Sequence, residues 1–95
     1  MSWYVYLVVC SDGTYYCGAS NNVPKRVKTH NRGKGARYTR TRRPVELLCT
    51  SPPMEKGAAL SFERKVKKAK RRYKPQIVRE GSLDSVVSKA WRYKR

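Results

Sequence analysis

A chain of 95 residues holds one domain with a modest core and leaves no room for two. Its 23 Lys and Arg against 6 Asp and Glu give a net charge of +17, which predicts a polyanionic partner, nucleic acid above all. No run approaches about 18 apolar residues, so a membrane span is excluded.

The first predicted element is a hairpin. Apolar and aromatic residues run from Trp3 to Val9, Ser11-Asp12-Gly13 supplies turn chemistry, and a β-rich run resumes from Thr14 to Cys17. Alternation puts Trp3, Val5, Leu7 and Val9 on one face of the first strand, and Tyr4, Tyr6 and Val8 on the other. Tyr6, with Tyr16 on the partner strand, brings two phenols together that can pack or handle protons. Residues 1–22 contain no Lys or Arg. The hairpin is therefore a neutral scaffold, and the positive field belongs to later segments.

Ala19 to Asn22 is turn-like, Asn22 or Asn21 can cap a helix, and Pro24 suits its first turn. The helix is expected to run to about Asn31 and to stop near Gly33 and Gly35. Arg26 and His30 stand four apart and share a face, a spacing that suits a phosphate contact beside a proton-handling group. A lone His is more often a surface or structural residue. Residues 24–43 carry nine basic side chains and no acid: Lys25, Arg26, Lys28, Arg32, Lys34, Arg37, Arg40, Arg42 and Arg43. Residues 32–43 read as a Gly- and basic-rich loop in which Tyr38 adds a stacking ring, a set suited to a nucleic-acid backbone.

Pro44 introduces a third strand, Val45 to Cys49, ended by Ser51-Pro52-Pro53. A long helix from about Met54 or Glu55 to Tyr73 is expected next. Its buried stripe is Ala59, Phe62, Val66, Ala69 and Tyr73. Glu63 borders that stripe in a basic field, where it can hold a divalent cation or pair with Lys67. Pro75 is expected to stop the helix, leaving Gln76 to Val78 extended, and Ser82 to cap a last helix at about 82–92. The order β-β-α-β-α-α predicts a small three-stranded antiparallel sheet flanked by helices, an α+β fold in one domain spanning 1–95.

Cys10, Cys17 and Cys49 leave one thiol unpaired under any single bridge, and the short apolar start lacks the make-up of a secretion signal. A reducing, cytoplasmic setting is the simpler expectation. A Cys₃His zinc site with His30 is formally possible, but no C-x₂₋₄-C pair supports it. Small buried hydrophobes are the favoured reading of these cysteines.

These residues also resemble a known family. Tyr4-Val5-Tyr6 followed by Tyr16-Cys17-Gly18 is similar to the paired signature of the GIY-YIG nuclease superfamily, and the downstream pieces agree in order. They are Lys25-Arg26-Val27 with His30-Asn31, Gly33 through Thr39, Pro44 to Leu47, and Phe62-Glu63-Arg64-Lys65 with Lys67-Lys68. The pattern is that of the small stand-alone members and covers about residues 3–74.

The resemblance implies hydrolysis of a phosphodiester bond in DNA by a metal-dependent endonuclease. Tyr6, Tyr16, Arg26, His30 and Glu63 would be catalytic, with Glu63 the single carboxylate on one Mg²⁺ or Mn²⁺. Tyr6 would help deprotonate the attacking water, and Arg26 would neutralise the scissile phosphate. A phenol needs nearby cations to lower its pKa for that work, and Arg26 together with a nearby metal ion would supply them. Lys25, Lys34, Arg37, Tyr38, Arg40, Arg42, Arg43 and Lys67 would bind the nucleic acid. Tyr4 replaces the first motif's glycine, and no Asn follows Glu63 where many members have one; Gln76 and Lys74 are weak substitutes. Without a second domain, cutting would be weakly sequence-specific or directed by branched or single-stranded DNA. The alternative is a non-catalytic module on the same fold that binds DNA or RNA.

Overall fold

The computed structural model describes residues 1–83. The expected helix at about 82–92 lies, beyond its first two residues, outside the described residues. Strand β1 (Tyr4–Val9) pairs antiparallel with β2 (Tyr15–Ser20) on one side and β3 (Glu46–Thr50) on the other, so the sheet order is β2-β1-β3. The fold is the α+β arrangement expected, with β1 as its central strand.

Both faces of that strand are covered. Val5 and Leu7 face helix α3 (Lys56–Lys68), whose Ala59, Phe62 and Val66 lie in one core cluster with them. Tyr6 and Val8 face the other way, with Val23 of helix α1 (Val23–Asn31). Period-two alternation thus feeds two cores, and Val5 to Val8 lose essentially all solvent contact. Burying each such Val, Leu or Phe contributes about 1.5–3 kcal/mol.

Helix α1 starts as its residues dictate. The Asn22 side chain accepts from the Lys25 amide at 3.2 Å, and Pro24 occupies the first turn, where no amide partner is lost. Gly33, at φ 78°, takes the left-handed turn beyond its end. The following segment is not wholly loop, because Arg37–Arg40 forms a single helical turn, α2.

Two expectations downstream are corrected. Helix α3 ends at Lys68 rather than near Tyr73, since Ala69 and Lys70 both turn to extended backbone. A 3₁₀ turn, Arg71–Tyr73, then leads into helix α4 (Lys74–Glu80), which contains the Gln76–Val78 stretch expected to be extended. Pro75 does not end a helix here; it sits in the first turn of one, the position that tolerates its missing amide. Gly81, at φ 71°, closes α4 with its amide donating to the Ile77 carbonyl at 2.9 Å. Ile77 and Val78 are driven into the α3 side of the core, and that burial selects the helix.

The sheet separates Cys10, on the α1 side, from Cys17 and Cys49, on the α3 side. All three thiols are buried and free, and no four-ligand set with His30 forms. Among the described residues, no helix is long and apolar enough to cross a membrane.

The α1 side is closed by Asn31. Its amide donates to the Val45 carbonyl at 3.0 Å, and its oxygen accepts from the Val45 amide at 2.7 Å. One side chain thereby acts like a strand partner and fixes the entry into β3. Replacing it, Asn31→Ala, would leave two backbone groups without partners. It should cost about 1–3 kcal/mol in a urea unfolding titration; an unchanged midpoint would mean water replaces the amide at no loss.

Candidate active site

The site is built across the α1 face of the hairpin. Tyr6 lies opposite Gly18 in the β1–β2 register. Because Gly18 has no side chain, the Tyr6 ring can lie over β2; a Cβ there would overlap its phenol oxygen. Tyr16, two residues before Gly18, projects on the same face.

His30 comes up beneath the phenol from α1 and is fully buried. Its Nε2 stands 2.8 Å from the Tyr6 oxygen, and its Nδ1 stands 2.8 Å from Thr39 Oγ1. Gly35 makes that seat possible, since a Cβ at this position would overlap the imidazole. The Thr39 hydroxyl donates to the Ala36 carbonyl at 3.0 Å, which leaves its oxygen to accept from His30 Nδ1. The Ala36 amide also approaches the same nitrogen, at 3.4 Å. A ring protonated at Nδ1 would donate to Thr39 and accept from the Tyr6 hydroxyl at Nε2.

Burial first, and Arg26 second, push the His30 pKa below the ordinary 6.5, so the ring is neutral near pH 7. Tyr6 behaves otherwise than expected. The Arg26 guanidinium beside it does favour the phenolate, but burial outweighs that effect and raises its pKa. Tyr6 thus holds its proton near neutral pH. Tyr16 is raised as well, again by burial first.

Tyr16 meets His30 edge-on, with ring centroids 5.2 Å apart, and stacks on Tyr38 at 6.1 Å. The Lys67 ammonium lies 5.7 Å over the Tyr16 ring. Lys67 also pairs with Glu63 at 2.8 Å, the i,i+4 pair foreseen as one fate of that carboxylate. The Glu63 side chain is only 16% exposed, and its charge is felt at Tyr6, Tyr16 and Cys17. Beside it, burial pushes the Cys17 thiol up to about 12, which leaves that thiol unreactive.

Tyr6, Tyr16, Arg26, His30 and Glu63 are therefore neighbours, although they come from β1, β2, α1 and α3. Lys25, Lys34, Arg37 and Arg40 are exposed. Arg43 is spent differently: its guanidinium donates to the Arg40 carbonyl at 2.9 Å and the Asn31 carbonyl at 3.4 Å, capping two helix ends. Gln76 is turned to Glu80, at 3.1 Å, and the Lys74 amine to the Lys67 carbonyl, at 3.4 Å. Thr39 and Gly35 were visible only as parts of a motif, because neither carries charge or an ionisable group.

No group of three or more His, Cys, Asp or Glu able to hold a metal gathers among the described residues. A single mostly buried carboxylate, already facing a cation, nonetheless fits Mg²⁺ or Mn²⁺, hard ions that can take one carboxylate and keep several waters.

The family model described as the GIY-YIG catalytic domain matches residues 2–76. The UPF0213 protein YazA of Bacillus subtilis is 43% identical over 89 residues, covering 92% of this chain and 90% of the relative. A UPF0213 protein of Nitratidesulfovibrio vulgaris is 48% identical over 66 residues, covering 70% of this chain and 60% of the relative. The solution structure of protein EF2693 from E. faecalis superposes with a TM-score of 0.54 at 35% identity, covering 80% of this chain and 81% of that one. The matching family model spans the elements that carry the Tyr6–His30 contact, and the chain belongs to the GIY-YIG family and, within it, to the small UPF0213 proteins.

Proposed function

We propose that this protein is a metal-dependent DNA endonuclease that hydrolyses phosphodiester bonds with little sequence preference, directed by DNA structure. The observation that carries this reading is the buried relay from Tyr6 through His30 to Thr39, with the Arg26 guanidinium at the phenol and Glu63 within electrostatic reach.

In this mechanism a water molecule attacks phosphorus as its proton passes to the Tyr6 oxygen, while the bond from phosphorus to the leaving oxygen breaks and that oxygen takes a proton from solvent. The Tyr6 proton moves in the same step to His30 Nε2 over the 2.8 Å contact. The phosphate binds at Arg26 and offsets its charge. That removes one of the two influences holding the His30 pKa down and makes the imidazole a better acceptor when it is needed. Glu63 would hold one Mg²⁺ or Mn²⁺, which would supply positive charge at the leaving oxygen. Lys67 would give up its pairing with Glu63 to make way for the ion. Exposed Lys25, Lys34, Arg37 and Arg40 would hold the flanking backbone, and such contacts serve DNA and RNA alike.

The test is cleavage of labelled single-stranded, duplex and branched DNA, and of RNA, with Mg²⁺ or Mn²⁺, alongside gel-shift binding. Tyr6→Phe and Glu63→Gln should each lower the rate about a hundredfold or more while binding persists. Tight, salt-sensitive binding with no cutting by the wild type would replace this reading with a non-catalytic binding module.

The chain has one histidine, so its ring signals need no assignment. An NMR titration should give a midpoint below 6.5, and Arg26→Gln should raise it. Because the folded state depresses this pKa, it also loses stability as pH falls below 6.5 through the lowered value. Cleavage should fall over the same acidic window and stay level through neutral pH. A midpoint at or above 6.5 would remove the neutral acceptor from the mechanism.

A further inference from the structure

Tyr38 and Arg42 were expected at the nucleic acid, yet both side chains are engaged within the protein. The Arg42 guanidinium lies 3.9 Å over the Tyr38 ring, and its Nη1 donates to the Tyr38 carbonyl at 2.9 Å. Its Nε donates to Asp12 Oδ2 at 3.1 Å, joining it to the turn of the β1–β2 hairpin. The backbone repeats the link, since the Ser11 amide donates to the Arg42 carbonyl at 2.9 Å. The Arg42 amide in turn donates to the Thr39 carbonyl at 3.0 Å, so Arg42 belongs to the same turn that presents Thr39 to His30.

An exposed ion pair alone is worth little. Here one planar guanidinium meets a carboxylate, a carbonyl and a ring face together, which a flexible ammonium would not reproduce. Beyond the ring lies Tyr16, stacked on Tyr38 with an interplanar angle of 24°. Tyr16 stands half-buried on an edge strand, where His30, Lys67 and the Tyr38 ring are its ring contacts.

We propose that Asp12 and Arg42 are positioning residues: a brace from the hairpin turn that holds Tyr38 against Tyr16 and keeps the Thr39 turn under His30. In its catalytic consequence the brace rests on the nuclease reading; its geometry does not. Asp12 never touches substrate. Its role is to fix a guanidinium, which fixes a ring, which fixes the second tyrosine of the site.

Electrostatics alone gives the opposite sign for Asp12, and this makes the test decisive. Removing a negative charge from a chain of net charge +17 should tighten nucleic-acid binding. The brace requires Asp12→Asn, which keeps the side-chain oxygen that accepts from the Thr14 amide, to lower kcat about ten- to hundredfold with KM unchanged or lower. Asp12→Glu should recover most of that loss. Arg42→Lys, which keeps the charge and loses the fork, should fall as Asp12→Asn does, with the salt dependence of binding unchanged. Urea midpoints would establish that each variant is folded.

NMR cross-peaks between the Tyr16 and Tyr38 rings give a readout independent of catalysis, and they should weaken in Asp12→Asn and Arg42→Lys. Wild-type kcat and intact cross-peaks in both variants would overturn the brace. So would a raised KM and a shallower salt dependence in Arg42→Lys at unchanged kcat, which would mark Arg42 as a phosphate contact. Should the wild type cut nothing, the nuclease reading fails, and the cross-peaks alone decide the brace.

Discussion

The hydrogen bond between Tyr6 and His30 is the constraint around which this small protein is arranged. Both groups are buried, and a polar atom buried without a partner costs free energy comparable to a lost hydrogen bond. The fold must therefore supply the whole chain of partners, from phenol to imidazole to threonine to the Ala36 carbonyl. It does so with two glycines, one giving the ring space over β2 and the other giving the imidazole space under the loop. No buried side-chain nitrogen or oxygen among the described residues lacks a partner.

That arrangement also explains the division of labour along the chain. The hairpin carries no basic residue, because its side chains fill two cores. The helices and the α2 turn, each with one face free, carry the positive field. The site forms where neutral strand and basic helix meet. There, burial opposes ionisation of the tyrosines while Arg26 and Lys67 favour it, and burial dominates in each. Both tyrosines therefore keep their protons and do not stand as phenolates.

Much of this was legible beforehand. Alternation located β1 and assigned its faces, Asn22 with Pro24 marked the start of α1, and the stripe of Ala59, Phe62 and Val66 marked α3. Spacing placed Arg26 and His30 on one helical face, and the structure brings them to Tyr6. Helix α4 was not legible, because Pro75 read as a stop although proline also suits a helix start, and only the burial of Ile77 and Val78 decides between the two. Asn31 and Thr39 were legible only as parts of the family motif, for a different reason. Their work is done by neutral hydrogen bonds to atoms distant in sequence, and neither charge nor periodicity records that. Arg42 and Arg43 read as phosphate contacts because they are cations in a loop, and nothing in the sequence records that their guanidiniums also bond within the protein.

The position of β2 has one more consequence. It is an edge strand, and an unpaired edge invites another chain to add a strand to the sheet. Lys67 and Arg71 lie over the rings of Tyr16 and Tyr15, at 5.7 Å and 4.3 Å, so two like charges stand beside the open edge. A second copy approaching this edge would bring the same pair of charges against them. Among the described residues, these two cations thus set like charge beside the open edge, an arrangement that disfavours strand addition by a second copy.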